Sequence, residues 1–197
     1  MEIRSFGNTA APQLSENSRT IEGYAIVFGQ RSQVMYDRKL KRTFVEVIQP
    51  GAVTEELLRS SDVKALLEHN SERMLARSFN GKGSLMLSLD EHGVKYRFDA
   101  PATVDGDYAV EMVKRGDLFG SSFAYYTDER ANVKYEKTDK ELMRYVSKID
   151  WIGDVSIVSD PAYMGTDVAV RSLDVFFENK DDEAYKEDVK VLRDLCK

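Results

Sequence analysis

Leu118-Phe119-Gly120-Ser121-Ser122-Phe123-Ala124-Tyr125-Tyr126-Thr127 is the stretch from which the fold is read. It mixes aromatic and small residues over a length suited to one β-strand. Successive side chains of a strand point to opposite faces. Leu118, Gly120, Ser122 and Ala124 therefore share one face, and Phe119, Ser121, Phe123 and Tyr125 share the other. Ser122 has a small residue two positions away on either side. Small flanks leave room for a carbonyl group to approach a hydroxyl. They equally suit a tight packing site where another element crosses the strand, and the pattern alone does not separate the two readings.

Outward toward the C-terminus, 128–140 reads as charged and turn-like. Leu142 to Ile149 and Trp151 to Val158 then resume strand character until Asp160-Pro161-Ala162. Outward toward the N-terminus, Asp105 to Lys114 reads as a helix, with Asp105 suited to the N-cap and Gly116 to a left-handed C-terminal cap. Ser84 to Asp90 and Val94 to Ala100 flank Glu91-His92-Gly93 as a hairpin. Val63 to His69 reads as a strand, Ala52 to Ser60 as a helix and Thr43 to Ile48 as a strand stopped by Pro50-Gly51. Gln30 to Arg42 reads as a charged loop and Ile21 to Gly29 as a strand. The expected class is a β-rich α+β domain, a barrel or sandwich closed by a few helices. Three regions follow: a polar segment at 1–20, flexible or forming an edge; a folded domain at 21–174; and a charged tail or peripheral helix at 175–197. In that tail Tyr185, Val189 and Leu192 give weak helical spacing, read as a solvated helix or a partner-binding segment.

Composition narrows the function classes. Of 197 residues, 42% are hydrophobic and 31% charged, enough apolar content for a core. The net charge of −6 argues against nucleic acid as a partner, because phosphate affinity comes chiefly from Lys and Arg. The single cysteine, Cys196, allows no internal disulfide and suggests a reducing compartment. One Cys and two His, without an HExxH or CxxC motif, suggest no metal site, and no cofactor is expected. The N-terminus lacks the apolar core of a signal peptide, and no apolar run approaches the roughly 20 residues that span a bilayer. A cytoplasmic protein without a membrane partner is expected.

The search for chemistry is short. His92 sits at a hairpin tip and reads as an exposed turn residue. His69 ends an apolar strand, and alternation places it with Val63, Ala65 and Leu67; it is either a satisfied interior histidine or a catalytic one. Asp154 falls with Ile152, Ser156 and Val158 on a largely apolar face, where a carboxylate needs an imidazolium or an arginine as partner. Ser122, His69 and Asp154 thus supply one hydroxyl, one imidazole and one acid on three strands. A serine hydroxyl is a poor nucleophile near neutral pH. A hydrogen-bonded imidazole removes its proton during attack, and a carboxylate fixes the imidazole's tautomer. No Gly-x-Ser-x-Gly elbow is present, which argues against an esterase of the α/β-hydrolase type.

From about Ile21 to Thr166 these segments, taken in order, resemble the phage prohead (capsid maturation) protease family. The residues that carry the resemblance are Ile21-Glu22-Gly23-Tyr24-Ala25-Ile26-Val27-Phe28, Phe44 to Ile48 with Pro50-Gly51-Ala52, and Asp62 to Asn70. Leu75-Ala76-Arg77-Ser78, Arg115-Gly116-Asp117 through Gly120-Ser121-Ser122-Phe123, and Asp154-Val155-Ser156 through Pro161-Ala162-Tyr163 complete it. The resemblance implies a serine endopeptidase related in fold to herpesvirus assembly proteases, a β-barrel ringed by helices. Such an enzyme works inside the procapsid, in the bacterial cytoplasm, on the major capsid protein or a scaffolding protein, and often on itself. It implies His69 as general base, Ser122 rather than Ser121 as nucleophile, and Asp154 as the acid, where the family commonly has the longer Glu. Arg77 is implied as a residue near substrate or oxyanion, with an ordinary ion pair as the other reading. A homo-oligomer is compatible with these expectations. The competing class is an inactive assembly-chaperone module that binds capsid protein.

Overall fold

The computed structural model describes residues 2–6, 11–14, 19–37, 41–139 and 141–159. In chain order the strands and helices are β1 (Glu2–Phe6), β2 (Gln13–Leu14), β3 (Thr20–Val27), β4 (Arg31–Asp37), β5 (Arg42–Ile48), α1 (Glu55–Ser60), β6 (Asp62–Leu67), β7 (Asn70–Phe79), β8 (Lys82–Gly83) and β9 (Met86–Leu89). They continue as β10 (Gly93–Asp99), α2 (Val104–Arg115), β11 (Gly120–Tyr126), α3 (Glu129–Asn132), β12 (Val133–Lys137), β13 (Leu142–Val146) and β14 (Trp151–Val158). The β-rich α+β class is as expected. The expected tail at 175–197, the stop at Asp160-Pro161-Ala162 and Cys196 lie outside the described residues.

Three open sheets carry these strands. Their orders are β1-β11-β14-β6-β7-β8, β2-β3-β10-β9 and β12-β13-β5-β4. Hydrogen bonding does not close them into the expected barrel among the described residues. The large sheet instead buries one face against the second sheet, with β3 packed across β1 and β11. Phe123 and Tyr125 of β11, Ile152, Val155 and Ile157 of β14, and Val63, Ala65 and Leu67 of β6 join Ile21, Ile26, Tyr96 and Phe98 in one core. Each of these side chains is nearly or wholly shielded from water. At roughly 25 cal/mol per Å² of apolar surface, each of the Val, Leu, Ile and Phe side chains contributes about 1.5–3 kcal/mol.

Local chemistry sets the helix ends. Thr103, rather than Asp105, caps α2, its hydroxyl accepting from the Gly106 N–H at 3.2 Å. Asp105 and Asp107 fall in the first turn, where the helix dipole favours negative charge. Gly116 ends the helix at φ 79°, a left-handed conformation that costs glycine nothing. The Glu91-His92-Gly93 hairpin forms as read, with β9 and β10 antiparallel.

Two readings are corrected. The stretch 30–42 contains β4 rather than only a loop, and 128–140 contains α3 and β12. Both strands are edges of their sheet, and an edge tolerates the charges that made them look like loops. Of the two readings for the start of the chain, Glu2–Phe6 takes the edge, pairing antiparallel with β11.

Candidate active site

β11 brings Ser122 to the centre of the large sheet. Its cross-strand partner on β14 is Ser156, and Ala124 pairs with Asp154. Ser122, Ala124, Asp154 and Ser156 therefore share the face opposite the core. A bulge between Ala124 and Tyr125 makes this possible. It absorbs one residue of β14 at Gly153, so Ile152 turns into the core while Asp154 points away from it. Alternation without the bulge had grouped Ile152 with Asp154. Gly153 has no room for a side chain, since a Cβ there would lie 2.1 Å from the Trp151 ring.

His69 arrives by a different route. Leu67 pairs with Asn70, so Glu68 and His69 form a two-residue hairpin loop between β6 and β7. Both have positive φ, 51° and 54°. That is the combination a type I′ turn requires, normally met by Asn and Gly. Left-handed backbone costs an ordinary residue about 1–2 kcal/mol, and such strain gathers at functional sites. Here β14 and the residue after it hold the turn by two bonds to Glu68. The Glu68 N–H donates to the Ile157 carbonyl at 3.1 Å, and the Ser159 N–H donates to the Glu68 carboxylate at 2.8 Å. The turn also overturns the face assigned to His69. Val63, Ala65 and Leu67 point into the core, whereas His69 swings over β14 to the opposite face.

There the three residues meet. Ser122 Oγ lies 2.5 Å from His69 Nε2. His69 Nδ1 lies 2.7 Å from Asp154 Oδ1. Ser122 is fully buried, and the His69 and Asp154 side chains are 17% and 9% exposed. Ser121 is on the core face, hydrogen-bonded to the Tyr96 hydroxyl at 2.8 Å, which separates it from the imidazole. Burial pushes the Tyr96 phenol above its ordinary pKa, so Tyr96 stays neutral at that bond.

The other sequence candidates lie elsewhere. Arg77 is on β7, separated from β11 by β6 and β14. Its guanidinium makes two 2.7 Å hydrogen bonds to Asp62, the ordinary ion pair of the two readings. His92 lies at the β9–β10 turn, edge-on to the Tyr24 ring.

Two contacts escaped the sequence. The Ser156 hydroxyl donates to Asp154 Oδ1 at 2.7 Å and lies 3.2 Å from His69 Nδ1. The Ser122 hydroxyl also reaches the Arg4 main-chain carbonyl of β1 at 2.9 Å. Ser156 had one available signal, its position two residues after the acid on the same strand. The Arg4 carbonyl had none, since main-chain atoms carry no sequence pattern.

Among the described residues, no group of three or more His, Cys, Asp or Glu side chains is placed to hold a metal ion, and no helix is long and apolar enough to cross a membrane. The arrangement provides a hydroxyl, an imidazole able to take its proton, and a carboxylate that fixes the imidazole's orientation, which is the equipment of nucleophilic acyl transfer. The family model described as caudovirus prohead serine protease matches residues 8–180 of the chain. No curated protein and no solved structure matches it.

Proposed function

This chain belongs to the caudovirus prohead serine protease family, and from that premise we propose that it is a serine endopeptidase of procapsid maturation in which Ser122 is the nucleophile. The observation that carries the proposal is the unbroken line of contacts from Ser122 Oγ to His69 Nε2 and from His69 Nδ1 to Asp154. Asp154 accepts a hydrogen bond from the Nδ1–H of neutral His69, which leaves the Nε2 lone pair facing the serine. Ser122 Oγ attacks the scissile carbonyl carbon while its proton passes to Nε2. The C–N bond then breaks as Nε2 returns that proton to the leaving amine, and an ester to Ser122 remains. Water attacks the ester, its proton passes to Nε2, and the ester bond breaks as Nε2 gives that proton to Ser122 Oγ, releasing the acid and restoring the hydroxyl.

Both Nε2 and the Arg4 carbonyl lie within reach of the one proton of the Ser122 hydroxyl. Only donation to Nε2 leads to attack. Strand β1 therefore touches the reacting atom, and its pairing with β11 fixes where that oxygen sits.

The substrates proposed are the major capsid protein or a scaffolding protein, cut within the assembling procapsid in the host cytoplasm, with self-cleavage as an accompanying event. A fluorophosphonate should label the wild-type chain and leave Ser122→Ala unlabelled, and co-expressed capsid protein should be trimmed only by the wild type. Trimming that persists in Ser122→Ala removes Ser122 from its role. Capsid-protein binding without labelling or trimming in the wild type replaces the enzyme with an assembly module.

A further inference from the structure

The scheme above uses three side chains, yet four polar side chains meet at the site. Ser156 is 1% exposed. It sits directly across from Ser122 on β14 and two residues after Asp154, so the register delivers it to the same face. On its other side is Leu66 of β6. Its hydroxyl donates to Asp154 Oδ1, the same oxygen that faces His69 Nδ1.

We infer that Ser156 is a positioning residue for the proposed reaction, holding Asp154 in place and fixing the tautomer of His69; this rests on the proposed role of the trio. A hydroxyl has one proton and two lone pairs. With the Ser156 proton directed at Asp154, its oxygen can only accept from His69 Nδ1, 3.2 Å away. Nδ1 then faces two acceptors and no donor, so it must carry the hydrogen. The neutral ring therefore presents an unprotonated Nε2 to Ser122. The hydroxyl also shares the carboxylate's negative charge, which would otherwise fall entirely on the imidazole.

Among the described residues, Asp154 and Ser156 are the ring's partners at Nδ1 and Ser122 its partner at Nε2. Lys64 on β6 pairs across from Asp154. Glu68, beside His69 in the turn, binds the Ser159 N–H. β11 contributes the Ser122 hydroxyl and β1 the Arg4 carbonyl, both uncharged. Arg77 is held by Asp62.

The test is the pH dependence of inactivation by a fluorophosphonate, measured on the full chain. Removing the Ser156 hydroxyl concentrates the Asp154 charge on His69. The protonated ring is then favoured, and neutral His69 appears only at higher pH. Ser156→Ala should move the rising limb of the profile upward by about half a pH unit. Its plateau rate should fall about tenfold, as expected for losing a hydrogen bond to a charged group. Ser156→Thr, which keeps the hydroxyl, should restore both. A plateau loss with an unmoved limb, or a profile like that of the wild type, overturns the inference, since simple loosening of the strand moves no midpoint. Absence of labelling in the wild type itself refutes the proposed function instead, so the two failures are distinct.

Discussion

Strand β11 carries a buried polar cluster on each face, and the two are built for opposite ends. On one face Ser122 meets His69, Asp154 and Ser156. On the other, the Tyr125 hydroxyl lies 3.2 Å from both carboxylate oxygens of Glu46. Glu46 is in turn bound by Arg4 at 2.6 Å and by Arg144. Arg144 reaches Glu2 at 2.9 Å and Glu129 at 2.6 Å. In this second cluster Arg144 and Tyr125 hold their protons firmly. Burial opposes the charge of Arg144, but Glu46 and Glu129 outweigh it and raise its pKa further. Burial likewise pushes the Tyr125 phenol well above its ordinary value. Fixed charges of opposite sign hold a shape. The Ser122 face instead contains an imidazole, the one side chain type whose ordinary pKa lies near neutrality. A buried network performs chemistry where one member can change its protonation, and otherwise it serves as a clamp.

The largest expected effect breaks the clamp. Glu46→Ala takes from Arg144, which is 2% exposed, and from Arg4 the buried carboxylate they share, leaving the partly exposed Glu2 and Glu129. Removing one partner of a buried ion pair costs about 3–5 kcal/mol, so the urea midpoint should fall sharply. A variant of normal stability that no longer reacts with fluorophosphonate would erase the division between the two faces. An intermediate effect sharpens the other side. Glu68→Ala removes the carboxylate that fastens the His69 turn to Ser159, and misplacing the base should lower the labelling rate about tenfold. Its urea midpoint should change little, because Glu68 is exposed. The smallest effect concerns acid. Burial raises the Glu129 pKa, but hydrogen bonds from Arg144 and Tyr135 outweigh it and hold the carboxyl below its ordinary range. A lowered folded-state pKa gives stability that is present above the unfolded value, near 4.3, and lost as pH falls through the folded value. Thermal midpoints of the wild type and Glu129→Gln should therefore differ at neutral pH and converge below about pH 4.

The two clusters were not equally legible in the sequence. β11 and β14 showed themselves because a central strand keeps its apolar alternation. From them Ser122 and Asp154 could be put forward. His69 could be named but was assigned to the wrong face, because alternation ends where two residues turn left-handed, and neither Glu68 nor His69 announces such a turn as Asn-Gly would. The Gly153 bulge misplaced Ile152 for the same kind of reason: a period-2 pattern has no term for an inserted residue. The clamp was invisible. Glu46 lies 42 residues from Arg4 and 98 from Arg144, and long-range ion pairs leave no local signature. Edge strands β4 and β12 resembled loops because an edge needs charge, and β1 was left between flexible and edge.

The contact between Ser122 and the first strand also sets an order of events during synthesis. Arg4 precedes its partner on β11 by 118 residues. At about 5–20 residues per second, a ribosome needs roughly 6–24 s to cover that interval. His69 must then wait for Asp154, 85 residues after it. A nascent chain therefore holds an unfinished nucleophile until β14 is made. On the proposed function, the protease is in this way unarmed until β14 has been made.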